Sequence, residues 1–400
     1  MHESYELPAY PLSVPESPWR IPLSDLRVDS ELLEAAHAAI ASGWWSTGPR
    51  VAELEQAFAR ACGTREAVAL ANGTAALHLA LLAVGCGPGD EVVLPSLTFV
   101  AAANVVLHTG AKPVFCDVIG EEDLNLDPAD VEAAITARTK AVVIFHYAGY
   151  PCAAHEVGAL AGERGLAVVE DAAHAPGARY RGQMCGALGD VGCFSFFSNK
   201  NLPVGEGGMA VTDDADLAKR LRLLRSHGMT TLTWDRHRGH ASGYDVVEHG
   251  FNYRLDELRA AIALVQLDRL EDVNRARARL SGLYRERLAG KEGVTIPFGD
   301  ADPDSTSANH LAVAVLPAGS DRDAVRARLA ALRIQTSVHY PPIHRFSRFA
   351  SLSARPLPRT EELAERIVSL PLFPHLEEEQ VREVSDALLE ALRKSVPVAD

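Results

Sequence analysis

No stretch of this sequence approaches the ~18 consecutive apolar residues that a membrane-crossing helix needs. The opening segment MHESYELPAY lacks the basic start and apolar run of a signal peptide, so a cytoplasmic protein is expected. Positive charge is scarce: 39 Lys and Arg against 53 Asp and Glu leave a formal net charge of −14. A surface of that sign argues against nucleic acid or an anionic membrane as the main partner. The six cysteines (Cys62, Cys86, Cys116, Cys152, Cys185 and Cys193) form no Cys-x-x-Cys pair and no zinc-like spacing with histidine. Buried free thiols are expected, with neither disulfides nor a structural metal. Thirty glycines and 23 prolines stay well below the roughly 25–30% of low-complexity chains.

What is abundant is core. With 47% hydrophobic and 23% charged residues the chain can bury a large interior. At about 150 residues per domain, 400 residues predict two or three folding units. Asp29 and Ser30 can cap a helix through ELLEAAHAAIASG, and a second helix runs from about Val51 to Cys62 and stops at Gly63. Beyond it, short apolar runs at 91–95, 112–118, 140–145 and 166–171 read as buried strands. Helical stretches at 74–84 and 127–137 lie between them. This alternation predicts an α/β fold with a mostly parallel sheet, helices on both faces and ligands at the strands' carboxyl ends. After Gly208, residues 213–225 and 254–272 read as long helices around a polar, histidine-rich segment, which suits an active-site or interface loop. From about 275 a smaller α+β unit is expected, with a strand at 310–316 and helices at 320–333, 359–369 and 377–394. The predicted division is an arm (1–25), a large α/β domain (26–272) and a small C-terminal α+β domain (273–400).

Three local features carry chemistry. Lys200 follows the apolar strand VGCFSFF and precedes the glycine-rich turn GEGG. A half-buried ammonium is costly, and burial lowers its pKa toward that of a Schiff-base-forming amine. A lysine on an ordinary surface turn would read the same way. Asp171 ends the strand LAVVED, with His174 just beyond. A carboxylate there can pair with a pyridinium nitrogen, or simply cap a helix. Asn72-Gly73-Thr74 opens a helix whose first N–H groups form a natural phosphate seat, or is simply an N-cap. Together with Phe99, which can stack on a ring, these are the parts of a pyridoxal 5'-phosphate site.

The strings NGTAALHLAL, EVVLPSLTFVAAANVV, GAKPVFCDV, VEDAAHAPGA, FSFFSNKNLPVGEGGMAVTDD, GFNYRLDELRAAIALVQL and SVHYPPIH occur in one order, and the likeness they carry runs from about residue 20 to 395. In this the sequence resembles the fold-type I, pyridoxal phosphate-dependent sugar aminotransferases called the DegT/DnrJ/StrS family. The resemblance implies that Lys200 forms the Schiff base with the cofactor and shuttles protons. It also implies that Asp171 pairs with the pyridine nitrogen and that His174, where many relatives carry glutamine, sits near the phenolic oxygen. Gly73, Thr74 and Ser195 would hold the phosphate. Asn252 would reach that phosphate from a partner subunit, making a homodimer with shared sites; capping the next helix is the alternative role. Trp45, Thr47 and Gly48, with His339 and Tyr340, are the implied substrate contacts. SNKN replaces the more familiar proline- or alanine-threonine-lysine pattern.

The implied activity is amino transfer from glutamate to a nucleotide-linked keto sugar. Glu206 in the GEGG turn resembles relatives acting at C-4 of a 4-keto-6-deoxyhexose, where C-3 enzymes more often carry aspartate. C-3 and cyclitol (inosose) aminotransferases share the same cofactor residues, and a regulatory scaffold on the same fold is the alternative of another class.

Overall fold

The computed structural model describes residues 17–231, 234, 239, 243–299, 304–352 and 355–394. Most of the expected arm (1–16) and much of the histidine-rich segment (232–233, 235–238, 240–242) lie outside those residues. The chain begins with α1 (Ser30–Ala41), capped by Asp29 through a 3.1 Å bond from the Leu32 N–H, and α2 (Pro49–Cys62), which Gly63 ends in the left-handed conformation. The large unit then alternates: β1 (Glu66–Leu70), α3 (Gly73–Ala83), β2 (Glu91–Pro95), α4 (Ala101–His108), β3 (Lys112–Cys116), α5 (Pro128–Ala134), β4 (Thr139–Phe145), α6 (Ala154–Arg164) and β5 (Ala167–Asp171). A short hairpin, β6 (Arg179–Tyr180) with β7 (Gln183–Met184), precedes β8 (Val191–Ser195) and β9 (Gly208–Thr212). After α7 (Ala215–Arg225), the helix α8 (Glu257–Leu288) carries the chain into the small unit. That unit holds β10 (Ala312–Val315), α9 (Arg322–Ala331), α10 (Pro358–Ala364), β11 (Ile367–Leu370) and α11 (Glu378–Arg393).

Seven strands form the central sheet in the order β1-β9-β8-β5-β4-β2-β3. All neighbours pair in parallel except β9, which runs antiparallel to both β1 and β8. Residues such as Leu54 and Phe58 of α2, Val157 of α6 and Ala263 of α8 bury one face of the sheet. Leu79 of α3, Val105 of α4 and Leu221 of α7 bury the other. Each such leucine, valine or phenylalanine removed from water stabilises by about 1.5–3 kcal/mol, so both faces are held and the strand ends are placed firmly. A further cluster joins Leu97, Phe145 and Tyr147 of the large unit to Val313, Val315 and Ile367 of the small one. The small unit therefore packs over the carboxyl ends of the strands, where parallel sheets take ligands.

The α/β class, the parallel sheet and the strands at 91–95 and 140–145 agree with expectation. Three elements differ. The helix expected at 359–369 stops at Ala364, and Ile367–Leu370 pairs antiparallel with Ala312–Val315. A waiting strand partner decides a short β-branched run that periodicity alone leaves ambiguous. The helix expected at 254–272 starts at Glu257, with Asp256 as its cap, and continues to Leu288. The helix expected over 127–137 ends at Ala134. The antiparallel strand β9 has no counterpart in the expected elements. All six cysteines are buried and unpaired. Among the described residues no helix is long and apolar enough to cross a membrane.

Candidate active site

A cavity of about 410 Å³ opens at the carboxyl ends of β4, β5 and β8. β5 delivers Asp171 as its last residue, and β8 delivers Ser195. The chain leaving β8 turns back through residues 197–205, with the Lys200 N–H donating to Phe197 O at 2.9 Å. Gly205 takes φ +93°, a left-handed value that excludes most side chains. This turn places the Lys200 amine in the cavity with Asp171. Burial lowers the lysine to about 8, against the opposing pull of the Asp171 carboxylate. The same burial raises the Asp171 carboxyl, opposed by the Ala173 N–H bond and the Lys200 charge.

At the cavity's other end α3 begins. The Asn72 side chain accepts from the Ala75 N–H at 2.8 Å, which leaves the Gly73 and Thr74 N–H groups without acceptors among the described residues. The approach is very close: a Cβ on Gly73 would lie 2.8 Å from the Ser195 Cβ, and one on Gly208 would lie 2.5 Å from the Asn72 carbonyl. Two glycines therefore let the helix start press against β8 and β9, beside the Ser195 hydroxyl. Two free N–H groups, a hydroxyl and a helix dipole form an anion cradle of phosphate chemistry.

Histidines and aromatic rings line the remaining walls. His174 Nε2 shares a 2.9 Å hydrogen bond with the Tyr340 hydroxyl, while its buried Nδ1 has no partner among the described residues. Burial, aided by the Lys200 charge, holds His174 well below its ordinary pKa and His339 at about 4. Phe99 stands half-exposed with its ring centroid 5.9 Å from that of Tyr340. Glu206 lines the cavity too, its carbonyl accepting from Arg259 Nη1 at 2.8 Å and its side chain exposed.

One cavity thus gathers Gly73, Thr74, Phe99, Asp171, His174, Ser195, Lys200, His339 and Tyr340. Four expected residues are not among its walls. Trp45 is 63% exposed and bonds Ile40 O through its indole. The Thr47 hydroxyl donates to Leu255 O at 2.7 Å, and Gly48 is packed on Trp44 at the start of α2. Asn252 is exposed, with its backbone bridged to Ser226. Since Asp256 caps α8, capping does not explain Asn252. Of the histidine-rich segment, the described ends pair with each other (Thr230 N–H to Asp245 O, 2.9 Å) and Trp234 meets Trp44 edge-on at 4.7 Å.

Sequence reasoning missed two buried neighbours of the site, Asn201 and His310, joined by a 3.0 Å hydrogen bond. Asn201 stood inside the motif around Lys200. His310 carried no signal, since only the fold brings it across 109 residues.

Residues 27–389 match the family model of the DegT/DnrJ/EryC1/StrS aminotransferase family. The spore coat polysaccharide biosynthesis protein SpsC of Bacillus subtilis (strain 168) is 40% identical over 391 residues, covering 96% of this chain and 98% of SpsC. The crystal structure of S. venezuelae DesV in complex with a ketimine intermediate superposes with a TM-score of 0.86 at 39% identity, covering 93% of this chain and 98% of DesV. The structure of DesI in the presence of its TDP-sugar product gives a TM-score of 0.84 at 36% identity, covering 95% and 94% of the two chains.

Proposed function

Because the chain belongs to the DegT/DnrJ/EryC1/StrS aminotransferase family, and is therefore a pyridoxal phosphate-dependent enzyme, we propose that it transfers the amino group of glutamate to C-4 of a nucleotide-linked 4-keto-6-deoxyhexose. The observation that carries the cofactor part is the cavity pairing of Lys200 and Asp171 opposite a glycine-tight helix start. These residues fit the cofactor: the two free N–H groups suit its phosphate, the buried carboxylate its ring nitrogen, and the buried Nδ1 of His174 is a polar atom without a partner among the described residues.

When bound, pyridoxal phosphate supplies the electron sink that stabilises negative charge at the reacting carbon. The chain's own residues do the rest. Gly73, Thr74 and Ser195 would hold the phosphate, and Asp171 would keep the ring nitrogen protonated. Lys200 would join the cofactor and then move a proton at its Nζ. At a pKa of about 8, roughly a tenth of its amine is uncharged at pH 7, against a negligible share for an ordinary lysine. Phe99 would stack on the cofactor ring, and His339 and Tyr340 would meet the sugar. Asn252 of a second copy would complete the phosphate seat, which makes a homodimer the active unit.

The nucleotide-sugar reading is supported by DesI, whose structure holds a TDP-sugar product, and by SpsC, a polysaccharide biosynthesis protein. The C-4 reading is supported by the exposed carboxylate of Glu206 on the cavity wall. A side chain one methylene longer or shorter there shifts where a hexose ring rests, and with it the carbon that reacts. The test supplies dTDP-4-keto-6-deoxyglucose, glutamate and cofactor, then locates the new amine by two-dimensional NMR. An amine at C-3, or reaction with a 3-keto isomer alone, would overturn the position. Turnover of a keto-inositol in place of every nucleotide sugar would overturn the substrate class.

A further inference from the structure

The turn that carries Lys200 is flanked by two cavities. On one side lies the cavity of about 410 Å³. On the other lies a second cavity of about 180 Å³, walled by Ser198, Asn199 and Lys200 on the turn and by Gln266 and Arg277 of α8. Lys200 therefore has open space on two sides, although the turn's ends are fixed by Val204 N–H donating to Phe196 O at 2.8 Å and by Leu202 in the core. The next side chain ties the lysine down as well. Asn201 is 2% exposed, and both of its side-chain polar atoms are bonded. Its Nδ2 donates to Ala308 O at 2.7 Å and to Asn274 Oδ1 at 2.8 Å. Asn274 is itself oriented by donating its own Nδ2 to Pro176 O at 2.8 Å. With both N–H hydrogens committed to acceptors, Asn201 Oδ1 faces His310 Nδ1 at 3.0 Å as the acceptor. His310 therefore carries its proton on Nδ1, and burial, reinforced by nearby positive groups, keeps it neutral. The His310 ring in turn lies 4.3 Å from that of His174 on the cavity wall.

We propose that Asn201 is a positioning residue for Lys200: its amide clamps the lysine-bearing turn to Asn274 of α8 and to Ala308 and His310 before β10, the last through a hydrogen bond that requires the Nδ1–H form of His310. The clamp connects three stretches of chain: the turn after β8, the middle of α8, and the residues leading into the small unit. The small unit's seating on the sheet is thereby coupled to the place where the lysine amine stands. This rests on Lys200 being the residue that bonds the cofactor's aldehyde.

The test compares two ligands of the cofactor-free full-length protein, pyridoxal 5'-phosphate and 4'-deoxypyridoxine 5'-phosphate. The second has no aldehyde, so it occupies the same cradle without using Lys200. Asn201→Ala is expected to weaken pyridoxal phosphate binding by at least about tenfold and to change the analogue by less than about threefold. Parallel weakening of both ligands, or no change in either, would overturn the proposal. Should Asn201→Ala fail to fold, His310→Asn, whose amide can present an N–H where Nδ1 stood, is compared with His310→Leu, which cannot. Only the leucine variant is expected to lose the aldehyde preference; the same behaviour in both overturns the clamp. A Lys200→Ala protein that kept the wild-type preference would instead overturn the role of Lys200 itself.

Discussion

Gly73 and Ser195 approach so closely that a methyl group on the glycine would lie 2.8 Å from the serine's Cβ and 3.3 Å from the Phe194 carbonyl. Neither neighbour can give way, because β8 is paired on both sides within the central sheet. Gly73→Ala should therefore push the start of α3 off the strand, at about 1–3 kcal/mol of overpacking strain. The expected result is a folded protein whose affinity for pyridoxal phosphate, read by fluorescence titration, falls at least about tenfold. Undiminished affinity would show that this helix start does not seat the phosphate.

The Lys200 amine should become reactive near its lowered pKa of about 8. In cofactor-free protein, labelling of Lys200 by an amine-directed reagent, mapped by mass spectrometry, should rise through that pH. The Asp171 carboxylate holds the value up, so Asp171→Asn should move the midpoint lower still. A midpoint near that of an ordinary surface lysine, or a rise in the Asp171→Asn protein, contradicts this electrostatic account.

Asn252 stands clear of the cavity of its own chain, and the next helix takes its cap from Asp256. If Asn252 serves a neighbouring subunit, Lys200→Ala and Asn252→Ala proteins should each be inactive alone. After subunit exchange, mixed dimers should regain one site with both groups, about half the wild-type activity per such dimer. Mixtures that stay inactive after proven exchange would favour a site built within one chain.

Asp117 should contribute to acid sensitivity. Burial alone would raise its carboxyl, but bonds from Thr360 and from the Arg359 and Val118 N–H groups outweigh that and hold it below its ordinary 3.8. A carboxyl depressed in the folded state stabilises fully above its unfolded value, and that stabilisation drains away as pH falls through the folded one. Urea midpoints of wild type and Asp117→Asn should therefore differ at neutral pH and converge well below pH 3.8. A difference that persists unchanged at low pH would mean that ionisation of Asp117 plays no part.

The amino-acid sequence by itself determined the class of fold and pointed to residues that the fold gathers in one cavity. Strands buried on both faces are continuous apolar runs whose ends face the ligand side, so Asp171 and Lys200 could be read locally, whereas Ser195 came only from the family resemblance. Gly73 and Thr74 could be read too, because a helix start exposes the same donors wherever it falls. What the chain does with distant partners was not legible. Ile367–Leu370 became a strand only because Ala312–Val315 offered a ladder, and a short apolar run has no period of its own to announce that. His310 reached Asn201 only through the packing of the small unit on the sheet, since a hydrogen bond spanning 109 residues leaves no trace in local composition. The same physics separates Tyr340, which the fold delivers to His174, from Trp45, Thr47 and Gly48, which it ties to Ile40, Leu255 and Trp44 around the start of α2. Propensity and pattern act over a few neighbouring residues, whereas the shape of a cavity is set by which distant surfaces bury each other.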